Sequence, residues 1–142
     1  MGRITIGIDA SKDSIRALHW AVEEARLRGA ELELVHAYPS PELVALPAVV
    51  TLPSDAELKE AATAVIDEAL EAVGDLGDMP LIRTVRSGGA ASVLCEAARD
   101  ADLLVVGARG LGGFRGLLLG SVSHQVVAHA PCPVVVVTPE AR

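Results

Sequence analysis

Short apolar runs rich in β-branched residues alternate with longer stretches of helical period along the chain, and this alternation restricts the fold more than any other feature. Ile4-Thr5-Ile6-Gly7-Ile8 reads as a strand that stops at Asp9-Ala10-Ser11. Ile15, Leu18, Val22 and Ala25 recur on one side of a helix, which Gly29 ends. Leu32, Leu34 and Val35 lead into His36-Ala37 as a second strand. Ser54-Asp55-Ala56-Glu57 is a capping box, and Leu58, Ala62, Val65, Ala69 and Val73 carry its helix to Gly74. A third strand runs from about Leu81 to Val85, and Ser87-Gly88-Gly89 opens a third helix bearing Ala90, Leu94, Ala97 and Ala101. Leu103-Leu104-Val105-Val106 has the unbroken apolar character of a strand buried on both faces. A fourth helix over about Ser121 to His129 precedes a last strand in Pro133 to Val137. Strand and helix alternate throughout, so the fold class is α/β, an open parallel sheet with helices on both faces and right-handed crossovers. Ligands in such sheets bind beyond the carboxyl ends of the strands where strand order reverses, which directs attention to the connections after strands one and four.

The 142 residues, 51% of them hydrophobic, are enough for one domain spanning 1–142. Aromatic residues make up 2%, namely Trp20, Tyr38 and Phe114, too few for a platform on which bases stack. A net charge of -7 opposes the counterion displacement that binding to nucleic acid or an anionic membrane requires. No apolar run approaches the roughly 18 residues that cross a bilayer. Cys95 and Cys132 lack the spacing of a disulfide framework or a zinc site. The expectation is a soluble cytoplasmic protein with neither nucleic acid nor membrane as partner. Pro39, Pro41, Pro47 and Pro53 exclude a regular element between them. The intervening Leu43, Val44, Leu46, Val49, Val50 and Leu52 suit either a lid or a surface that docks a partner.

After strand four the chain enters a loop punctuated by Gly107, Gly110, Gly112, Gly113, Gly116 and Gly120. Glycines let backbone N–H groups approach an anion without an intervening Cβ, and the helix opened by Gly120-Ser121 adds its positive dipole end. From Leu103 through Pro139 there is no Asp or Glu, while Arg109 and Arg115 lie inside the loop, so the local charge is opposite to that of the whole. A tight structural turn is the alternative for such a loop, although it needs fewer glycines. The loop is not a lysine-bearing phosphate loop, because Leu119 precedes Gly120-Ser121. Nor is it a dinucleotide fingerprint: in Gly110-Leu111-Gly112-Gly113-Phe114-Arg115-Gly116 the third glycine comes one place late, with no acidic residue about 20 positions on. Ser87-Gly88-Gly89-Ala90-Ala91-Ser92 lacks the Asp of the amidotransferase-type phosphate loop and comes after the wrong strand.

The spacing Gly107-x2-Gly110-x9-Gly120-Ser121 resembles the ATP-binding signature of the universal stress protein family. Ile4 to Ser14 is similar to that family's first strand and its Asp-Gly-Ser-x-x-Ser turn, with Ala10 in place of the glycine. Leu34-Val35-His36-Ala37, Val105-Val106-Gly107 and Pro131-Cys132-Pro133-Val134 resemble its second, fourth and last strands. The resemblance implies a five-stranded sheet in the order 3-2-1-4-5 and a nucleotide between strands one and four. It places Asp9 and Ala37 near the adenine and its surroundings, Gly7 on the floor, and Val106 with Gly107 near the ribose. Arg109, Gly110, Gly120, Ser121, Val122 and Ser123 would surround the phosphates. It also implies ATP as the ligand, with Mg2+ able to accompany it; Asp9 and Asp13 are the nearby carboxylates, and they form no ligand cluster by spacing. A homodimer is expected through the last strand, Val134 to Thr138, which the order puts at a flat apolar edge.

Other assignments are plainer. Asp9 and Ser11 suit the cap of the first helix. His19, His36, His124 and His129 read as packing or surface residues, Cys95 as a small core residue, and Cys132 as a thiol without an activating base. The function these features favour is a nucleotide-dependent regulatory protein of the stress response, acting on an unidentified protein partner, with at most slow ATP hydrolysis or self-phosphorylation at Ser121 or Ser123. An ATP-using enzyme of the same fold group would need a His-x-Gly-His motif or a lysine near the loop, and the sequence has neither there. A dimeric interaction module with a purely structural glycine loop is the third possibility.

Overall fold

The first strand rises under β-branched Ile4, Thr5 and Ile6, and the parallel sheet grows outward from it in both directions. In a computed structural model, which describes residues 2–40, 53–110 and 118–139, the elements succeed one another in order. They are β1 (Arg3–Gly7), α1 (Lys12–Arg28), β2 (Glu31–Tyr38), α2 (Asp55–Val73), β3 (Leu81–Ser87), α3 (Ala90–Ala97), β4 (Leu103–Gly107), α4 (Ser121–His129) and β5 (Val134–Val137). A turn of 3₁₀ helix over Ala98–Asp100 continues α3, so the regular helix ends before the expected Ala101. The sheet has five strands in the order β3-β2-β1-β4-β5, every neighbouring pair parallel, as the family resemblance implies. Ile4 pairs with Leu32 on one side and Leu103 on the other, which makes the space between β1 and β4 the point of reversal.

Side chains alternate across the strands and feed two cores. On one face Ile4, Ile6, Leu32, Leu34, Leu103 and Val105 meet Ala17, Leu18, Ala21 and Val22 of α1 and Ala62, Ile66 and Ala69 of α2. On the other, Val35, Leu104 and Val106 meet Val93, Leu94 and Ala97 of α3 and Val126 of α4. Residues Leu103 to Val106 of β4 are thus buried on both faces, in line with their unbroken apolar run. Each fully buried side chain of this size contributes about 1.5–3 kcal/mol.

The second face also buries a carboxylate. Glu33 sits opposite Thr5 in register, accepts hydrogen bonds from Thr5 Oγ1 (3.2 Å) and Thr84 Oγ1 (2.7 Å), and lies 3.9 Å from Arg3 Nη1. Those partners offset the desolvation that an isolated buried charge would suffer.

Helix ends obey their local signals. Ser11 and Ser54 cap α1 and α2 by accepting hydrogen bonds from the backbone N–H of Ser14 and Glu57, and Gly29 closes α1 in the left-handed conformation at φ 62°. β3 runs two residues beyond Val85, through Arg86 and Ser87, because backbone pairing with Ala37 and Tyr38 continues where the apolar pattern stops. No described helix is long and apolar enough to cross a membrane. Most of the proline-rich stretch and the middle of the glycine loop, with Gly112, Gly113, Arg115 and Gly116, lie outside the described residues.

Candidate functional site

The two connections at the reversal point are built from opposite kinds of residue. After β1 the chain leaves through Ile8 into a turn held by its own side chains. The Asp9 carboxylate accepts from the backbone N–H of Ser11 (3.0 Å) and from its hydroxyl through the same Oδ1. Ser11 Oγ accepts from Ser14 N–H, and the Ser14 hydroxyl donates to the Ser11 carbonyl (3.1 Å). Ala10 has φ 69°, the one positive value outside glycine among the described residues. An L side chain in that region costs roughly 1–2 kcal/mol, which supplies the physical reason for a glycine there in the family pattern.

After β4 the chain is almost without side chains. A Cβ at Gly107 would lie 2.8 Å from the carbonyl carbon and oxygen of Asp13, so the bare glycine is what allows the first turn of α1 to rest on the strand end. At Gly110 a Cβ would come within 2.6 Å of Asp9 Oδ2, which places the acid of the first turn against the second loop. The loop ends are tied together: Ala108 carbonyl accepts from Gly120 N–H (2.6 Å) and from the buried Ser123 hydroxyl (2.7 Å), which also reaches the Gly120 carbonyl (3.1 Å). Gly120 is the N-cap of α4 and brings no side-chain hydrogen bond, and the first turn of α4 has no acidic residue. The free N–H groups and positive end of α4 are therefore available to an anion. Arg109 adds a cation at the rim, its backbone N–H and its Nε lying 3.1 and 3.5 Å from Asp13 Oδ2.

Between the two connections lies an open crevice. Of the residues singled out from the sequence, Gly7, Asp9, Ala37, Val106, Gly107, Arg109, Gly110, Val122 and Ser123 line it. Gly120 and Ser121 do not line it but form the start of α4 beside it. Gly7 matters for packing as well: a Cβ there would meet Leu94 at 2.9 Å, so its absence lets α3 close the floor.

The crevice also contains residues that sequence reasoning assigned to packing or left unmentioned, among them His36, Val35, Ala90 and Leu94. His36 is the clearest addition. Its Nδ1 lies 2.6 Å from the Ile8 carbonyl, an acceptor only, so Nδ1 is the nitrogen that donates there and Nε2 is turned away from that bond. The one available signal was its position beside Ala37 at the carboxyl end of β2, next to the reversal point. His19, His124 and His129 are exposed, as surface residues should be. Burial raises the thiol pKa of both Cys95 and Cys132, which suits inert cysteines. Among the described residues no group of three or more His, Cys, Asp or Glu side chains is placed to hold a metal ion.

The family model described as Universal stress protein family matches residues 1–138. The chain belongs to the universal stress protein family. Universal stress protein Rv2005c of Mycobacterium tuberculosis is 38% identical over 133 residues, a match covering 94% of this chain and 44% of that protein. The chain spans about half the length of the curated relatives it matches. A universal stress protein solved in complex with cAMP is 28% identical, with a TM-score of 0.72 over 96% of each chain. Another, from Archaeoglobus fulgidus and solved in complex with dAMP, is 25% identical, with a TM-score of 0.67 over 96% of this chain and 97% of that one. This universal stress protein thus pairs the bare glycines of its second connection with a left-handed alanine in its first.

Proposed function

We propose that this universal stress protein binds an adenine nucleotide, ATP in the first instance, in the crevice between β1 and β4, and that occupancy of the site is its regulatory output in the stress response. The observation that carries this reading is the convergence of a Cβ-free strand exit, an uncapped helix N-terminus and Arg109 on one crevice at the reversal point. Such an arrangement can take an anion and a flat apolar group side by side. The two universal stress proteins solved with cAMP and dAMP support an adenine nucleotide as the occupant. In this reading the aliphatic pocket of Gly7, Val35, Ala37 and Val106 faces the base and sugar, and Arg109, Gly110, Gly120, Ser121, Val122 and Ser123 face the phosphates. Any Mg2+ would arrive with the phosphates and have Asp9 and Asp13 as the nearest carboxylates.

The site is read as a binding site without a dedicated catalytic base, in a cytoplasmic protein of one domain over 1–142. The unit proposed to work is a homodimer joined through Val134 to Thr138, since β5 pairs with β4 alone and presents four valines at the sheet edge.

The deciding experiment is denaturation of freshly purified protein, then mass spectrometry of the small molecules released. ATP at about one per chain is expected. An empty protein whose melting temperature does not move with ATP would overturn the reading and leave the glycine loop as architecture. For the dimer, sedimentation should give a mass of two chains; a single-chain mass at every concentration would count against it.

A further inference from the structure

The crevice of a phosphate-binding fold is expected to be as positive as the chain can make it, yet here a buried carboxylate behind the lining engages the crevice's Arg109. Asp13 lies in the first turn of α1, only 9% exposed. Its Oδ1 accepts from Arg16 Nη1 at 3.0 Å. Its Oδ2 accepts from the backbone N–H of Arg109 at 3.1 Å and lies 3.5 Å from Arg109 Nε. The one carboxylate thus faces Arg109 of the crevice lining and Arg16 of its own helix, together with the dipole end of that helix. Asp9, the acid that does line the crevice, is turned onto Ser11 and Gly110, not onto Arg16 or Arg109.

We infer that Asp13 is a specificity-determining residue: it draws off the positive charge of Arg109, Arg16 and the α1 N-terminus, and so reduces the site's preference for the more highly charged adenine nucleotides. The inference rests on the nucleotide reading proposed for the crevice and deepens it. Its physical content is that Asp13 acts on the ligand through charge, at a distance of several ångströms, so its effect must scale with the charge the ligand carries. A residue that only held the loop in shape would affect charged and uncharged ligands alike. The arrangement also divides the two helix N-termini at the crevice. The α1 end is satisfied internally by Asp13 and by the Ser11 cap, while the α4 end, with neither acid nor cap, is left for the ligand.

The test is Asp13→Asn, which keeps an acceptor for the Arg109 N–H and removes the charge. Affinities of adenosine, AMP and ATP are measured by calorimetry at low salt without divalent ions. At a Coulomb gain of about 2-fold per unit of ligand charge, adenosine should stay within about 2-fold of wild type, AMP with about two charges should bind about 4-fold tighter, and ATP with about four charges about 16-fold tighter. The gradient should shrink in ~0.5 M salt, where such interactions are screened. An equal change for all three ligands, no change, or weaker ATP binding would overturn the role given to Asp13. If Asp13→Asn does not melt cooperatively, Asp13→Ser, which also offers an uncharged oxygen, carries the same expectation and the same refutation. Wild-type protein that takes up none of the three ligands would overturn the nucleotide reading and this inference with it. Wild-type binding with unaltered ratios of affinity among the three ligands in the variant would overturn the inference alone.

Discussion

The connection after β1 and the connection after β4 meet at one crevice, yet they solve the problem of ending a strand by contrary means. The first spends side chains: Asp9, Ser11 and Ser14 hydrogen-bond one another, and the helix they start is capped and carries an acid in its first turn. The second removes side chains: Gly107, Gly110 and Gly120 keep the backbone bare, and its helix begins uncapped and without an acid. The lesson is that unmet hydrogen-bonding capacity, not polarity as such, marks the side of a crevice that can take an anion. A turn full of Asp and Ser looks more chemical in a sequence than a run of glycines, but the Ser11 and Ser14 hydroxyls and Asp9 Oδ1 are already engaged with each other.

The sharpest way to break this contrast is to put a side chain where the two connections touch. Gly107→Ala would set a Cβ 2.8 Å from the Asp13 backbone, which has no flexible end to yield, so α1 must lift from the end of β4. A loss of about 3 kcal/mol in urea unfolding is expected, at the upper end for overpacking. A loss below about 1 kcal/mol would mean that the first turn of α1 is not seated on the strand end.

Next in size is Gly120→Val, which tests function separately from stability. The nearest atoms to a Cβ there are Arg109 Cα at 3.4 Å and the Ala108 carbonyl oxygen and Gly110 N at 3.5 Å, ordinary contacts, so the fold should hold. The ligand should not. At about 100 times its dissociation constant a nucleotide stabilises the wild type by roughly 2.7 kcal/mol, and that gain should vanish in the variant. An undiminished thermal shift with ATP would remove the start of α4 from the site. Smaller again is Ser123→Ala, which takes away the hydroxyl that ties the two ends of the loop. The Ala108 carbonyl keeps Gly120 N–H as a donor, so the expected cost is about 1–1.5 kcal/mol by denaturant titration. A neutral substitution would show that the single backbone bond suffices to close the loop.

Much of this architecture is legible in the order of the residues. Leu103 to Val106 announce a strand buried on both faces, the Ser54 capping box and Gly29 mark helix ends, and glycine spacing leads to the family and through it to the strand order. The differences arise where long-range contacts decide. β3 continues through Arg86 and Ser87 because β2 offers backbone partners there, a fact no apolar pattern encodes. His36 enters the crevice because the Ile8 carbonyl, from another strand exit, holds its ring. Leu94 enters because Gly7 leaves room for it, and a glycine in a strand does not say which neighbour will use the space. Asp13 could be read as a carboxylate near the phosphates, but its engagement with Arg109, 96 residues away in sequence, emerges only when helix and loop are brought together.

The smallest effect bears on the side-chain-rich connection alone. Ala10 stands where the family pattern has glycine and takes φ 69°. Restoring the glycine, Ala10→Gly, relieves about 1–2 kcal/mol of left-handed strain but gives the unfolded chain additional freedom, which costs about 0.5–1 kcal/mol. The side chain itself contributes little, because residue 10 is exposed and offers only a methyl group. The net expectation is a gain of about 0.5 kcal/mol, seen as a higher urea midpoint with an unchanged slope. If the gain is seen and nucleotide affinity is unaltered, the conformation of the Asp9–Ser14 turn is fixed by its hydrogen bonds and the alanine is merely tolerated within it. If stability instead falls, the turn depends on a stiff residue at position 10, and the self-contained character ascribed to this connection is lost.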